Sequence, residues 1–156
     1  MAYGSNDAQA IAPLLETQGG IPKMNIKLLT DAKATGGDFR YHFGEWLRKR
    51  VKADSTVYIY FAGHGTPNPQ TGEAYLVPWD GRPDYPEGLN PLKELYETLN
   101  KLPARDVVVL LDSCFSGAAG RSVLAKGARP MVVSVENPLL EAGQVIVLAA
   151  SSGNQI

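Results

Sequence analysis

Apolar positions along the chain recur with two different periods, and the changes of period mark out the elements. Between Asn6 and Glu16, Ala10, Ile11, Leu14 and Leu15 keep helical spacing, with Asn6 or Asp7 placed to cap and "TQGG" to terminate. "MNIKLL" reads as a strand, and "TDAKATGGDF" connects it to a helix over 37–51. On that helix Phe39, Phe43, Trp46, Leu47 and Val51 share one face, and Thr35 with Asp38 three residues later forms a capping-box pattern. "TVYIYFAG", 56–63, is dense in β-branched and aromatic residues and predicts a strand buried on both sides.

The period then disappears. From Thr66 to Asn90 the chain is rich in Pro, Gly, Asn and Asp, with one strand-like interruption, "EAYLVPWD". A loop of that length inside a compact domain usually serves function. Leu92, Leu95, Tyr96, Leu99 and Leu102 restore helical spacing over 91–102, with Asn90 as cap and Pro91 in the first helical position. "RDVVVLLDS" has the near-continuous apolar character of a central parallel strand, and "VIVLAASS" predicts another buried strand. The region 118–144 between them shows no sustained period. Strands alternating with helices predict an α/β domain with a mainly parallel sheet and right-handed crossovers. In such sheets ligands bind beyond the carboxyl ends of the strands.

Composition narrows the class. The 156 residues, 44% of them hydrophobic, suffice for one domain spanning 1–156 with its own core. A formal net charge of −1 argues against a nucleic-acid surface, and the cluster Arg48, Lys49, Arg50 and Lys52 reads as the solvated side of a helix. The single cysteine excludes an internal disulfide. No stretch approaches the roughly 20 apolar residues of a membrane span, and no secretory signal pattern opens the chain, so a cytoplasmic location is expected.

Two predicted strands end in residues that carry chemistry. "YIYFAGHG" places His64 just past one strand and "VVVLLDSC" places Cys114, the only cysteine, just past another; the two are 50 residues apart. An imidazole beside a thiol can withdraw its proton, giving a thiolate that attacks a carbonyl, and can later protonate the leaving amine. The amides of Gly65 and Cys114 are candidates for an oxyanion hole. The plain alternatives are a buried, inert thiol and an ordinary histidine in a glycine turn. Asp7 has a competing role as a helix cap and Asp112 as a turn residue. His42, on the amphipathic helix, reads as a packed or half-exposed residue. No ligand spacing typical of zinc and no EF-hand loop is present. Asp80, Asp84 and Glu87 form an acidic stretch in the long loop, read as solvated.

At these positions the chain resembles the caspase-like cysteine peptidases, in the branch of metacaspases and their bacterial relatives. The resemblance is carried by "YIYFAGHG" and "VVVLLDSCFSG" and extends through "NDA" at Asn6, "LLTDAKAT", "AYLVPWDG" and "VIVLAASSGNQ". A His about 50 residues before the Cys is itself a caspase spacing. The resemblance implies a three-layer α/β/α fold and a dyad with Cys114 as nucleophile and His64 as general base, then acid. It also implies an oxyanion hole from the amides of Gly65 and Cys114, and an acidic P1 pocket from Asp7 and Asp112 that holds Arg or Lys. Paired carboxylates suit a guanidinium physically and repel an aspartate side chain. No cofactor is required; some metacaspases respond to calcium, which nothing in this sequence indicates.

The chain departs from the pattern in places. The family's first strand and its C-terminal strands have no counterpart in the sequence, so a large-subunit-like portion is expected, one that works with a small-subunit-like segment or by self-association. Phe115 stands where many metacaspases place His. Expected partners are protein or peptide substrates with a basic P1 residue, without nucleic acid or membrane. Two function classes follow: an endopeptidase cutting after Arg or Lys, and a catalytically weak caspase-like module acting through protein assembly.

Overall fold

The structure is a computed structural model that describes residues 2–68, 71–83, 85–113, 115 and 143–149. Two small sheets and three helical segments make it up. β1 (Thr56–Ala62), β5 (Asp106–Asp112) and β6 (Val145–Ala149) form a parallel sheet in the order β1-β5-β6. β2 (His64–Pro67), β3 (Ala74–Val77) and β4 (Asn90–Pro91) form an antiparallel sheet beside it. α1 covers Ala2–Thr17, and α2 starts at Gly36–Arg40 and runs on through a π-helical turn, Tyr41–Trp46. α3 covers Leu92–Asn100.

The core lies on one face of the parallel sheet. Alternation sends Val57 and Ile59 of β1, Val107, Val109 and Leu111 of β5, and Val145 of β6 to the same side. There they meet Leu92, Leu95, Tyr96 and Leu99 of α3, whose helical spacing gives one buried stripe. Leu99, Val107 and Val109 are completely buried, and burying each such side chain contributes about 1.5–3 kcal/mol. The opposite face is more open: Tyr58, Ile146 and Leu148 are 47%, 53% and 58% exposed.

The helix over 2–17 and the α3 helix agree with the hydrophobic pattern, and the Thr35–Asp38 capping box forms in both directions. Several details differ. Asn6 and Asp7 are not caps, because α1 already begins at Ala2. Pro91, not Asn90, is the N-cap of α3, since Asn90 and Pro91 are held as β4 against β3. "MNIKLL" is not a strand: Lys23–Asn25 make a 3-10 turn and 26–30 run on without a ladder partner among the described residues. An apolar run acquires strand hydrogen bonds only when another strand lies beside it.

β1 and β6 are not buried on both sides, since their second face carries the exposed Tyr58, Ile146 and Leu148. Only β5 is central. The long polar segment is also more regular than its composition suggests, because its first residues pair with "AYLV" as the β2–β3 hairpin. A groove of about 820 Å³ runs along the outer side of β1, between it, α1 and the 26–30 segment.

Candidate active site

β1 ends at Ala62, and the chain bends at Gly63 and re-enters sheet structure at His64, the first residue of β2. His64 stands opposite Val77 of β3, so it is held by a hairpin as well as by the strand before it. At the same place β5 ends at Asp112, directly opposite Ala62. The Gly63 N–H donates to the Asp112 carbonyl oxygen at 3.3 Å, which carries the alignment of the two strands one residue past the sheet.

The register is constant along the pairing, from Thr56 opposite Asp106 to Ala62 opposite Asp112, each partner 50 positions further on. That offset equals the sequence separation of His64 and Cys114. Cys114 lies outside the described residues, as does Asp84. The residues on either side of the cysteine are described: Ser113 and Phe115 are both buried, at 5% and 2% exposure. Phe115 packs directly on Gly65, where any Cβ would collide with its ring, 3.0 Å from Cγ and closer still to the ring edge. Glycine is required there for close approach. The chain is therefore joined to the His64 segment both before Cys114, at Asp112, and after it, at Phe115.

His64 is partly buried and lines the groove beside β1. Burial holds its imidazole below the ordinary histidine value, which favours the neutral, proton-accepting form. His42 is a different kind of histidine. It lines the same groove but packs edge-on against Tyr41 and Trp46, in line with its reading as a packed residue.

The two acidic candidates come from distant parts of the chain. Asp112 is exposed at the carboxyl end of β5. Asp7 is exposed in the second turn of α1, which packs across β1. The crossing is close at Gly4, where a Cβ would stand 2.6 Å from the Ala62 carbonyl oxygen. Both carboxylates act on one hydroxyl, that of Tyr60, whose pKa is raised by burial first and then by the charges of Asp112 and Asp7. Neither groove volume nor its lining marks this acidic corner: the groove includes Tyr60 and His64 but neither carboxylate.

Tyr60 did not stand out in the sequence, although a signal was present. Tyr58, Tyr60 and Ala62 share a face by the two-residue period, and parallel pairing puts Asp112 on that face too. The acidic loop residue Asp80 has a structural task, accepting from the Gly36 N–H at the start of α2 at 2.8 Å. Among the described residues no group of three or more His, Cys, Asp or Glu is placed to hold a metal ion. Nor is any described helix long and apolar enough to cross a membrane.

Comparison with known proteins gives one strong relation. No curated protein matches the chain. The family model of the caspase domain, a peptidase family, matches residues 2–155, nearly the whole sequence. With the parallel sheet, its covering helices and a histidine turn beside the end of the central strand, the chain belongs to the caspase-domain family of cysteine peptidases.

Proposed function

We propose that this chain is a cysteine endopeptidase of the metacaspase kind that uses Cys114 and His64 as a dyad and cuts after Arg or Lys. The observation that carries the reading is the shared register. β1 and β5 run parallel with a fixed offset of 50, and His64 and Cys114 follow their ends at that same offset. The contacts Gly63–Asp112 and Gly65–Phe115 support it by tying described residues on both sides of Cys114 to the His64 segment.

In this reading neutral His64 takes the thiol proton of Cys114, and the thiolate attacks the scissile carbonyl carbon. The amides of Gly65 and Cys114 serve the oxyanion. Gly65 suits this role because the bond from the Asn68 N–H to Glu73 O sets the antiparallel alternation, which puts Gly65, opposite Leu76, at a position outside the ladder bonds. The imidazolium returns its proton to the leaving amine as the C–N bond breaks. Water, deprotonated by the same imidazole, then hydrolyses the thioester and restores the thiol. Thiol, imidazole and water are sufficient, so no cofactor enters.

Asp7 and Asp112 form the P1 pocket. Two exposed carboxylates whose charges act on one hydroxyl suit a cationic side chain. The test is turnover of short fluorogenic peptides ending in Arg, Lys or Asp. Wild-type protein should cleave the Arg and Lys peptides, and Cys114→Ala and His64→Ala should abolish it. Cleavage after Asp alone would overturn the pocket assignment.

A second reading is favoured by the open sheet face and by the outer edge of β1, which pairs with no strand among the described residues. Tyr58, Ile146 and Leu148 offer apolar surface, which suits a caspase-like module that acts through assembly with a second copy or a small-subunit-like segment. No turnover of any peptide, together with a stable oligomer in light scattering, would move the weight to it.

A further inference from the structure

We infer that Tyr60 is a positioning residue for the acidic pocket, orienting Asp112 against Asp7 so that the pair grips a planar guanidinium in preference to an ammonium ion. The inference rests on the reading of Asp7 and Asp112 as a basic-residue pocket and goes beyond it by naming what aligns them.

Three observations converge on Tyr60. The first is register: Tyr60 stands opposite Leu110 and Ala62 opposite Asp112, so Tyr60 and Asp112 are diagonal neighbours on one face of the sheet. A tyrosine can span that diagonal, whereas shorter side chains cannot. The second is the crossing of α1 over β1 at Gly4, which brings the helix turn that carries Asp7 to the same end of the strand. The third is electrostatic: after burial, the charges of Asp112 and then Asp7 raise the Tyr60 pKa, so both carboxylates act on its hydroxyl.

The position also matters. Tyr60 lines the groove next to β1 together with Ser5, Ala8 and His64, whereas Asp7 and Asp112 do not line it. Asp112 is exposed at a strand end, where a carboxylate otherwise turns freely about its side-chain torsions. A donor on its flank restricts it. Fixed orientation matters more for a guanidinium, which presents several N–H groups in one plane, than for an ammonium, which is a compact charge with rotating donors. Loss of the phenol hydroxyl should therefore cost arginine recognition more than lysine recognition, and cost binding more than bond cleavage.

The probes are agmatine, which carries the arginine guanidinium without a peptide bond, and butylamine for the ammonium. Their binding to the full chain is followed by NMR titration, with Tyr60→Phe, Asp112→Asn and the double variant compared. Tyr60→Phe should weaken agmatine by about 3- to 10-fold, the scale of a typical net hydrogen bond, and butylamine by less. In the Asp112→Asn background Tyr60→Phe should add no further loss. With peptides, Tyr60→Phe should raise KM for Arg substrates by a similar factor with kcat little changed. Equal losses for both probes, or additive losses in the double variant, would mean a merely structural tyrosine and overturn the inference. Agmatine binding lost in Asp112→Asn but untouched in Tyr60→Phe would overturn the role of Tyr60 and leave the pocket standing. Binding that survives Asp112→Asn would remove the pocket itself. Should Tyr60→Phe fail to fold, wild-type protein with 13Cζ-labelled tyrosine answers the question: agmatine should shift the Tyr60 resonance, and an unmoved resonance at saturating agmatine would reject the role.

Discussion

The ring of Phe115 lies against the bare Cα of Gly65, and this contact closes the chain around Cys114 from its far side. One residue before the glycine is His64, and one residue before the phenylalanine is the cysteine. Packing between two apolar or backbone groups thus accompanies a proposed pairing of two reactive ones.

A methyl group at Gly65 has no room beside that ring. Gly65→Ala should destabilise the protein by about 1–3 kcal/mol, the usual cost of overpacking, and should abolish peptide turnover by displacing Phe115 and the turn around it. Urea denaturation and the fluorogenic assay check this. Wild-type stability and turnover in Gly65→Ala would show that the Phe115–Gly65 contact does not hold the turn.

The pH dependence of turnover should reflect a histidine that stays neutral in mild acid. Burial lowers the His64 pKa from its ordinary value of 6.5. The acid limb of kcat/KM should therefore fall below that value, with activity still high at pH 6.5. A pH–rate profile of the wild-type enzyme tests it, and an acid limb above 6.5 would contradict a depressed His64.

Stability should carry a second histidine signature. His42 is also held below 6.5, by burial first and then by Lys27, with Arg50 acting in the same direction and Asp38 against it. The unfolded chain takes up these protons near pH 6.5, and the folded chain does so only lower. Stability should then fall as pH drops from about 6.5 and level off below the folded values. His42→Phe should flatten this slope. Chemical denaturation between pH 5 and pH 8, at roughly half-unit steps, would measure it; an unchanged slope would assign the effect to His64 or the carboxylates.

Tyr96 offers a stability prediction of the opposite kind. It is 1% exposed, its hydroxyl has no hydrogen-bond partner among the described residues, and burial pushes its pKa up to about 12. A buried donor without a partner costs free energy that its removal returns. Tyr96→Phe should leave stability unchanged or raise it by up to about 1 kcal/mol. A loss of more than about 1 kcal/mol in thermal or urea unfolding would mean that the hydroxyl is satisfied in solution.

Local pattern determined the elements whose reasons are local. The stripe Leu92, Leu95, Tyr96 and Leu99 specifies α3, Thr35 and Asp38 cap α2 within one turn, and the apolar run before Asp112 specifies the central strand. The His and Cys motifs were legible for the same reason, since each is a short glycine-bearing segment that follows an apolar run.

Tertiary structure decided everything that depends on a neighbour. "MNIKLL" and "VYIYF" have similar apolar character, yet only the second pairs, because a ladder needs a strand alongside and β5 supplies one. Pairing also set which face each residue of β1 uses, and so turned Tyr60 toward Asp112 while Ile59 went to the core. Asp7, Tyr60 and Asp112 are far apart in the chain and share no local pattern. That the charges of Asp7 and Asp112 both reach Tyr60 follows from the parallel register and from a helix crossing that only a residue as small as Gly4 allows.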